Sequence, residues 1–571
     1  MRTKINWYLI FILLIIFGIF EYGIQKICGF TLYPDEFGYW ASAANVVGYD
    51  WSEVASMGSY YSFGYSLILI PVLKLFADGI MAYRIAIFIN MLMMCGSVFL
   101  FWKIIGKLFP ETETEKKALF SGIAVLYPAW IFYMQMTMAE AVLFFVFSLD
   151  MYLFLCFMEK QKIATAIGLA ISLIYGYCVH MRTIGIVIAC VITFVCWFLC
   201  GTGDKRVLLI WFGVIILLGS ISIWLKNRTI TEVFSHAGQE LLATSDYSGQ
   251  WRKLAEILSF TGILQLLKGI VGKLYYLGIS SFGIFYWAVV WCVKESVGLI
   301  KNRIKKVDIQ VKQWFSLFLF LIVIGQVLIS SIFMYNSNVI DCLVYGRYNE
   351  LLVPVMMLIG LVVMLRSRFL IPVTMVMGTA LGATTLLLLD VIEQRNMSGI
   401  RGYHIPGISY LLQEDNINVF FYFRDTWLMG FGLMLFVCVL VWLSRSWTSI
   451  WWLLTGILMM EIAAGLQISS HYTYKVNNTN FENRVAAEAL QENVTEKTDI
   501  IYLDEGYPQY VDFLQMQIPA NPIRVVKEDA LEAMDVSKST VITYMEAEMD
   551  EELQQVFDKK ITTHSFCLYY N

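Results

Sequence analysis

Residues 7–20, WYLIFILLIIFGIF, form an apolar run, and residues 29–51, GFTLYPDEFGYWASAANVVGYDW, follow it after a short connection. The apolar run has the composition of a membrane-spanning helix. The segment after it presents two adjacent acids, Asp35 and Glu36, among aromatic residues. Ionisable side chains at a membrane are costly to place and commonly serve a function. The role of these two acids is therefore the first question that the sequence raises.

The composition predicts a membrane protein. Of the 571 residues, 58% are hydrophobic and only 15% are charged, and the mean hydropathy is +0.65. Many apolar runs approach the roughly 20 residues that an α-helix needs to cross a bilayer. The 11 cysteines include no CxxC pair and mostly lie inside apolar runs, which favours small buried side chains over a disulfide or zinc framework. Residues 1–27 lack a small-residue cleavage site, so we expect a retained first helix and not a signal peptide.

Basic clusters predict the orientation, because short loops rich in Lys and Arg stay on the cytoplasmic side. These clusters lie at residues 1–4, 101–117, 159–162, 203–206, 300–312, 366–368 and 444–446. Between them we predict 13 spans in the plasma membrane, with the amino terminus cytoplasmic and the carboxyl terminus outside. The spans are 7–27, 81–102, 118–138, 141–158, 163–180, 184–200, 207–225, 270–293, 314–335, 351–365, 370–389, 427–443 and 448–468.

One further apolar stretch, residues 61–79, is left out of this count. Counting it would place the basic residues of 101–117 outside, and it contains Pro71 and Lys74. We therefore predict an interfacial or re-entrant helix there. The first outer loop then runs from 28 to 80 and carries Asp35 and Glu36 on the extracytoplasmic face.

The sequence from residue 471 predicts a separate α/β domain outside the membrane. Four strand-like segments, DIIYLD, PIRVV, STVITYM and ITTHSFCLYY, alternate with helix-like segments such as PQYVDFLQMQ. This tail carries 18 Asp and Glu against 8 Lys and Arg. It contains no GxGxxG or P-loop pattern, and no basic stretch that suggests a nucleic-acid partner. The predicted domains are thus a transmembrane domain at 1–470 and an extracytoplasmic domain at 471–571.

Two interpretations of the acid pair stand side by side. In the first, Asp35 is the N-cap of a helix over 36–47 and Glu36 stabilises its first turn, which contributes about 1 kcal/mol. In the second, the pair belongs to a site on the outer face. Other polar residues recur at predicted outer edges of spans and favour the second interpretation; they are Arg84, Glu140, His180, Arg182, Lys268, Lys273, Arg347 and Glu350.

Several motifs occur in a recognisable order. YPDEFGYWASA follows the first span, AYRIAIF begins the second, MTMAEAVLFF follows the third, and YGRYNELLVPVMML comes late in the chain. Together they resemble the GT-C superfamily of integral-membrane glycosyltransferases, in particular the branch of protein O-mannosyltransferases and lipid A aminoarabinose transferases. The resemblance covers about residues 1–470 and implies a polytopic helical fold. It also implies transfer of a sugar from a polyprenyl phosphate to an extracytoplasmic acceptor, with inversion at the anomeric carbon.

The resemblance also suggests roles for individual residues. Asp35 matches the base that takes the acceptor proton, and Glu36 would orient the acceptor or tune its neighbour. Arg84 matches an arginine at the start of the second span, with an interfacial anchor as the alternative.

The remaining candidates face the substrates. Glu140 matches a second outer acid, with a salt bridge to Arg84 or Arg182 as the alternative. Arg347 and Tyr348 would bind the donor phosphate, with an ion pair between Arg347 and Glu350 as the alternative. Arg182 is a further phosphate candidate, and His180 is expected to be a packed core residue.

A divalent metal, Mg²⁺ or Mn²⁺, stays open at this stage, with oxygen ligands from Asp35, Glu36 and Glu140. Two other classes of function also stay open. A transporter or flippase of a lipid-linked glycan would use the acids as a proton relay. An envelope assembly protein would act through its tail, and Asp35 would then be dispensable.

Overall fold

The computed structural model describes residues 6–571 except 59–61, 202–203, 240–241, 243–249, 412–417, 494–497, 505–507, 532–533, 535, 537 and 546–548. The basic cluster at 1–4 lies outside the described residues. The described helices of the amino-terminal half are α1 Trp7–Ile24, α2 Asp35–Val47, α3 Ser52–Met57, α4 Ser66–Leu75, α5 Gly79–Leu108, α6 Thr114–Val125, α7 Pro128–Met134, α8 Ala139–Lys160, α9 Ile163–Val179, α10 Ile184–Leu199 and α11 Lys205–Val233. A 3₁₀ turn, Met181–Thr183, joins α9 to α10.

The described helices of the second half continue the bundle. They are α12 Gln250–Ile257, α13 Phe260–Ser280, α14 Ile284–Ile304, α15 Val311–Phe333, α16 Ile340–Leu343, α17 Leu352–Arg366, α18 Leu370–Gln394, α19 Val419–Leu443, α20 Ile450–Ser469 and α21 Lys475–Asn493. Short 3₁₀ turns lie at Gly402–His404, Pro406–Leu411 and Trp447–Ser449. Five π-helical residues, Ser470–Tyr474, connect α20 to α21 without a break.

Membrane-length helices dominate the part of the chain that the structure describes. Nine helices there are long and apolar enough to cross a bilayer, and the number rises to 11 when each of two bent pairs is taken as one span. Two shorter apolar helices, α9 and α17, coincide with the predicted spans 163–180 and 351–365. Every predicted span therefore has a helical counterpart, while the count of 13 crossings stays a prediction.

Two predicted spans are broken, which the apolar pattern did not reveal. The span 118–138 is divided between α6 and α7, which meet at 63°. Pro128 begins α7, and a proline disfavours helical backbone in the residue before it. The span 270–293 is wrong as one helix, because α13 and α14 meet at 115°. Phe282 and Gly283 have positive φ values of 52° and 75° at this break, a conformation that ends a helix.

The stretch predicted to lie along the membrane, residues 61–79, contains α4. This helix has ten residues and is therefore about 15 Å long, half the thickness of a hydrocarbon core. This length is too short for a crossing and supports the prediction that residues 61–79 do not span the membrane.

Burial separates inner from peripheral helices. In the most apolar window of α8, 72% of the residues are buried, whereas in α11 the share is 22%. Apolar side chains of α11 such as Leu209 and Ile216 are exposed, which suits contact with lipid. The inner helix α8 carries Glu140 at its amino-terminal end.

The carboxyl-terminal tail forms a five-stranded mixed sheet with the order β2-β1-β3-β5-β4. Its strands are β1 Asp499–Leu503, β2 Ile523–Val526, β3 Ser539–Tyr544, β4 Lys559–Thr562 and β5 Phe566–Tyr570. The strands β2, β1 and β3 are parallel, while β5 and β4 are antiparallel to their neighbours. The tail helices are α22 Pro508–Gln517, α23 Glu528–Leu531 and α24 Asp550–Val556.

The last predicted strand, ITTHSFCLYY, is wrong as one strand, because it contains the end of β4, a turn and β5. Thr563 and Phe566 close this turn through a 2.8 Å backbone bond. The expected alternation of strands and helices is present before this hairpin. The domain boundary at 470/471 stays a prediction.

The tail packs against the first outer loop, residues 28–80. The side-chain oxygen of Asn477 accepts hydrogen bonds from the backbone N–H groups of Cys28 and Gly29 at 2.8 and 3.0 Å. Glu53 accepts a bond from the N–H of Val525 at 2.7 Å. These bonds hold the loop between the helix bundle and the sheet, and α2 lies in that loop.

Candidate active site

Asp35 is the first residue of α2. Pro34 precedes it as the N-cap with φ −63°, and no side chain caps this end of the helix. Proline has its φ fixed near the helical value, so it can begin a helix without a capping side chain. The interpretation of Asp35 as the N-cap is therefore wrong. Its carboxylate is buried, 5% exposed, and bonds to another part of the chain.

Arg347 joins Asp35 to Glu140. Its Nη2 donates to Oδ2 of Asp35, and its Nε donates to Oε1 of Glu140 at 2.8 Å. Nη2 of Arg182 donates to the same oxygen of Glu140 at 2.9 Å. We call Asp35, Glu140, Arg182 and Arg347 the ion cluster. Its two carboxylates and two guanidinium groups balance in charge, which offsets the large cost of burying ions.

Three separate segments supply the ion cluster. Glu140 lies in the first turn of α8, Arg182 lies in the 3₁₀ turn before α10, and Arg347 lies in the loop before α17. The structure thus confirms the alternative in which Glu140 forms a salt bridge with Arg182. No salt bridge between Glu140 and Arg84 occurs among the described residues.

Aromatic rings cover both guanidinium groups. The Cζ of Arg347 lies 4.9 Å from the ring centre of Tyr33, and the Cζ of Arg182 lies 4.7 Å from that of Tyr348. Cation–π contacts of this kind are stronger where water is excluded. Tyr348 therefore lies beside the cluster, in contact with Arg182, and its role toward the donor phosphate stays a prediction. The ring of His180 packs edge-on against Tyr348 at 5.6 Å, in line with its expected packed position.

The backbone of Arg347 is held by the segment 401–404. The carbonyl of His404 accepts from the N–H groups of Gly346 and Arg347 at 3.1 and 3.0 Å. Nδ1 of His404 lies 2.6 Å from Oδ2 of the fully buried Asp341. Burial lowers the pKa of His404, and the hydrogen bond to Asp341 opposes that effect. Sequence reasoning missed this pair because about 60 residues separate its members and neither stands in a motif.

Glu36 lies outside the ion cluster. Its Oε2 accepts from Tyr83 Oη at 2.5 Å and from the N–H and Oγ1 of Thr137 at 2.7 and 2.8 Å. Its Oε1 accepts from Thr31, from the N–H at 2.9 Å and from the hydroxyl. Successive residues of a helix point in different directions, about 100° apart. Glu36 therefore closes a hydrogen-bonded network, the Glu36 network, beside and not within the ion cluster.

The burial of Glu36 is complete, with 0% of its surface exposed. Burial raises the pKa of Glu36, and the hydrogen bonds from Thr31, Tyr83 and Thr137 oppose that rise. Its donors join the loop, α5 and the start of α8, so it links the elements that carry the site.

Arg84 also lies apart from the cluster. Its Nε donates to the carbonyl oxygen of Ile27 at 2.8 Å, just after α1 ends. This hydrogen bond connects α5 to the segment that follows α1. The arrangement does not bring Arg84 into direct contact with Asp35 or Arg347.

Glu350 does not pair with Arg347 as the alternative interpretation expected. It accepts hydrogen bonds from the hydroxyls of Tyr127 and Tyr276 instead. Burial raises the pKa of Glu350 to about 7, and these two bonds oppose the rise. Arg347 is therefore left for Asp35 and Glu140.

The three acids suggested as metal ligands do not fit that role in this arrangement. Asp35 and Glu140 both bond to Arg347, and Glu36 bonds to neutral donors. Within the described ranges no group of three or more His, Cys, Asp or Glu side chains is placed to hold a metal ion.

Fold and site together define a polytopic helical membrane protein with a buried acid–arginine cluster at one end of the bundle. The structure of ArnT from Cupriavidus metallidurans bound to undecaprenyl phosphate matches it with a TM-score of 0.53 at 11% identity, covering 99% of this chain and 98% of that one. The apo structure of the same protein matches with a TM-score of 0.51 at 11% identity, covering 98% and 97%.

ArnT is an aminoarabinose transferase of the GT-C superfamily. The chain therefore has the fold of ArnT over nearly its whole length, which confirms the expected polytopic helical fold, and the protein is a multi-pass membrane protein. No family model matches the chain, and no curated protein matches it.

Proposed function

We propose that the protein is an inverting glycosyltransferase. It would move a sugar from a polyprenyl-phosphate donor to an extracytoplasmic acceptor such as an envelope glycan, lipid or protein. The observation that supports this most directly is the buried ion pair between Asp35 and Arg347. It joins a carboxylate suited to proton transfer with a cation suited to phosphate.

Arg347 is suited to bind the donor phosphate. A guanidinium binds phosphate through parallel hydrogen bonds, and in this structure Asp35 and Glu140 occupy those donors. A donor phosphate would take the place of Asp35 on Arg347. Glu140 would keep Arg347 and Arg182 in position, since it bonds to both.

Release from Arg347 prepares Asp35 for catalysis. A carboxylate oxygen that no longer bonds to Arg347 is free to accept a proton, so donor binding would expose the base. Asp35 would then accept the proton of the acceptor hydroxyl or amine.

The reaction balances as a single displacement. The acceptor oxygen or nitrogen forms a bond to the anomeric carbon while the bond from that carbon to the phosphate oxygen breaks. The bonding electrons leave with the polyprenyl phosphate, whose charge Arg347 and Arg182 stabilise. The acceptor proton goes to Asp35, and no carboxylate forms a bond to the sugar, unlike in a retaining glycosidase.

Asp35→Asn tests this proposal, because the amide keeps the size of the side chain but accepts no proton. We expect sugar transfer by the purified protein in detergent to fall roughly 10²- to 10⁴-fold. Binding of a polyprenyl-phosphate sugar should persist. The matched control is Asp50→Asn in the same loop, where Asp50 bonds to Ser52 and not to the ion cluster.

Two results would count against the proposal. Near-normal transfer by Asp35→Asn would exclude Asp35 as the base. If no preparation consumes any lipid-linked sugar while vesicles containing the protein move such a lipid between leaflets, the protein is a flippase.

A further inference from the structure

A cavity lies at the end of the bundle opposite the ion cluster. Three helices connect the two ends, because α5, α8 and α17 each begin near the site and end near the cavity. Glu140 begins α8, and Glu159 near its other end pairs with Lys107 of the cavity. The 15 residues of α17 end at Arg366, which lines the cavity. This length corresponds to about 22 Å.

The cavity has a volume of about 710 Å³. Its charged lining consists of four cations, Lys107, Lys294, Lys312 and Arg366, and two acids, Glu111 and Glu295. All six belong to segments predicted to be cytoplasmic or to the span ends that meet them. The surplus of positive charge favours an anionic ligand.

The ion pairs in this cavity leave its cations accessible. Arg366 bonds to Glu111, with side chains 41% and 59% exposed. Lys312 lies 3.7 Å from Glu295, and Lys294 is exposed. Ion pairs in such settings contribute little, roughly 0–1 kcal/mol. A ligand phosphate can therefore compete for these cations.

One side of the cavity is apolar. Trp287 and Trp291 of α14 are buried in its wall, and Val290, between them, is 53% exposed. An exposed valine on a helix that belongs to a candidate membrane pair is suited to contact with lipid. Tryptophan is enriched at the depth where acyl chains meet headgroups. The cavity thus combines cationic side chains with an apolar side that is suited to acyl chains.

We propose that this cavity binds the headgroup of an anionic phospholipid from the leaflet opposite the ion cluster. The phosphodiester would contact Lys294 and Lys312, and the acyl chains would run along Val290. Basic pockets between membrane helices are suited to such headgroups. The apolar side favours a lipid over a soluble phosphate compound, because only a lipid has acyl chains that can contact it. This proposal does not depend on the proposed transfer reaction.

Native mass spectrometry of the delipidated full-length protein tests the proposal. The protein is incubated with phosphatidylglycerol or with phosphatidylcholine of the same acyl chains, and bound lipid is counted. We expect tighter binding of phosphatidylglycerol, and a loss of about 25-fold in the double variant Lys294→Gln/Lys312→Gln, since each lysine near an anionic headgroup contributes about fivefold.

Two further variants separate charge from folding. Lys294→Arg/Lys312→Arg keeps the charge and should keep the lipid. Lys301→Gln removes a lysine from the same helix outside the cavity lining and should bind within about twofold of the wild type.

Three outcomes would overturn the proposal. Equal retention of the two lipids would show that no headgroup is selected. Equal losses in the double variant and in Lys301→Gln would show that general surface charge explains the binding. Displacement of the lipid by millimolar glycerol 3-phosphate, with the same dependence on Lys294 and Lys312, would assign the cavity to a soluble phosphate.

Discussion

The ion cluster and the Glu36 network bury neighbouring acids in opposite ways. Asp35 is held by a cation from a segment far along the chain, whereas Glu36 is held by neutral donors from Thr31, Tyr83 and Thr137. A phosphate can replace a carboxylate on Arg347, because both are anions. Displacing Glu36 would break five hydrogen bonds from three residues, whereas displacing Asp35 breaks its ion pair with Arg347. We therefore propose that the exchangeable ion pair of Asp35 and Arg347, and not an acid alone, is the reactive position.

Arg347→Ala should have the largest effect, because Arg347 is the cation common to both carboxylates. It leaves Asp35 without its cation and Glu140 with Arg182 alone, and breaking a buried ion pair costs about 3–5 kcal/mol. We expect loss of donor binding and of measurable transfer, together with a lower thermal midpoint in detergent. If Arg347→Ala still bound polyprenyl-phosphate sugar normally, the ion cluster would not be the donor site.

The matched control is Arg366→Ala, which breaks the exposed pair with Glu111. It should change stability by less than about 1 kcal/mol and leave transfer intact.

Glu350→Gln tests a third way of burying an acid. Glu350 lies three residues after Arg347, but its carboxylate accepts hydrogen bonds from two tyrosines. The pKa of Glu350 is raised from its ordinary 4.5 to about 7 in the folded protein. The folded state therefore binds this proton more tightly than the unfolded state. The resulting contribution to the free energy of unfolding is fully present below about pH 4.5 and is lost as the pH rises through about 7. Between these pH values the free energy of unfolding of the wild type should fall by on the order of 3 kcal/mol relative to that of Glu350→Gln.

The measurement is the thermal midpoint of both proteins in detergent at a series of pH values. Parallel curves for the two proteins would show that Glu350 does not titrate in this range.

Glu36→Gln is the isosteric partner of Asp35→Asn and should behave in the opposite way. The amide cannot accept at both ends, so a backbone N–H of Thr31 or Thr137 loses its acceptor, at about 1–3 kcal/mol. We expect lower stability but nearly normal transfer per folded molecule, measured by turnover normalised to the folded fraction. A loss of turnover as large as that of Asp35→Asn would place Glu36 in the reaction and end the distinction between the two acids.

Arg84→Gln should have the smallest effect. Its hydrogen bond to the carbonyl of Ile27 is partly exposed, and such a bond contributes about 1 kcal/mol. Transfer and donor binding should stay within about threefold of the wild type in the same assays. Loss of donor binding would assign Arg84 to the donor site.

Local sequence sufficed for features that depend on neighbouring residues. The apolar runs predicted the helices because burying a helix in lipid requires a long apolar segment, and the strand-like segments predicted the sheet of the tail. It also singled out Asp35, because an acid is rare beside a membrane span. It failed where a single backbone conformation interrupts an apolar run, as at Phe282 and Gly283, because hydrophobicity carries no information about φ.

The partners of each charge were decided by tertiary structure. Sequence named Asp35, Glu140, Arg182 and Arg347 as candidates, but their pairing depends on helices that meet across more than 300 residues of chain. It grouped Glu36 with Asp35 because they are adjacent, whereas helical geometry turns them toward different neighbours. An ion pair between Arg347 and the nearby Glu350 was the alternative to phosphate binding, but Glu350 instead accepts hydrogen bonds from Tyr127 and Tyr276. A buried charge takes the partner that three-dimensional packing brings within hydrogen-bonding distance, and distance along the chain does not determine that partner.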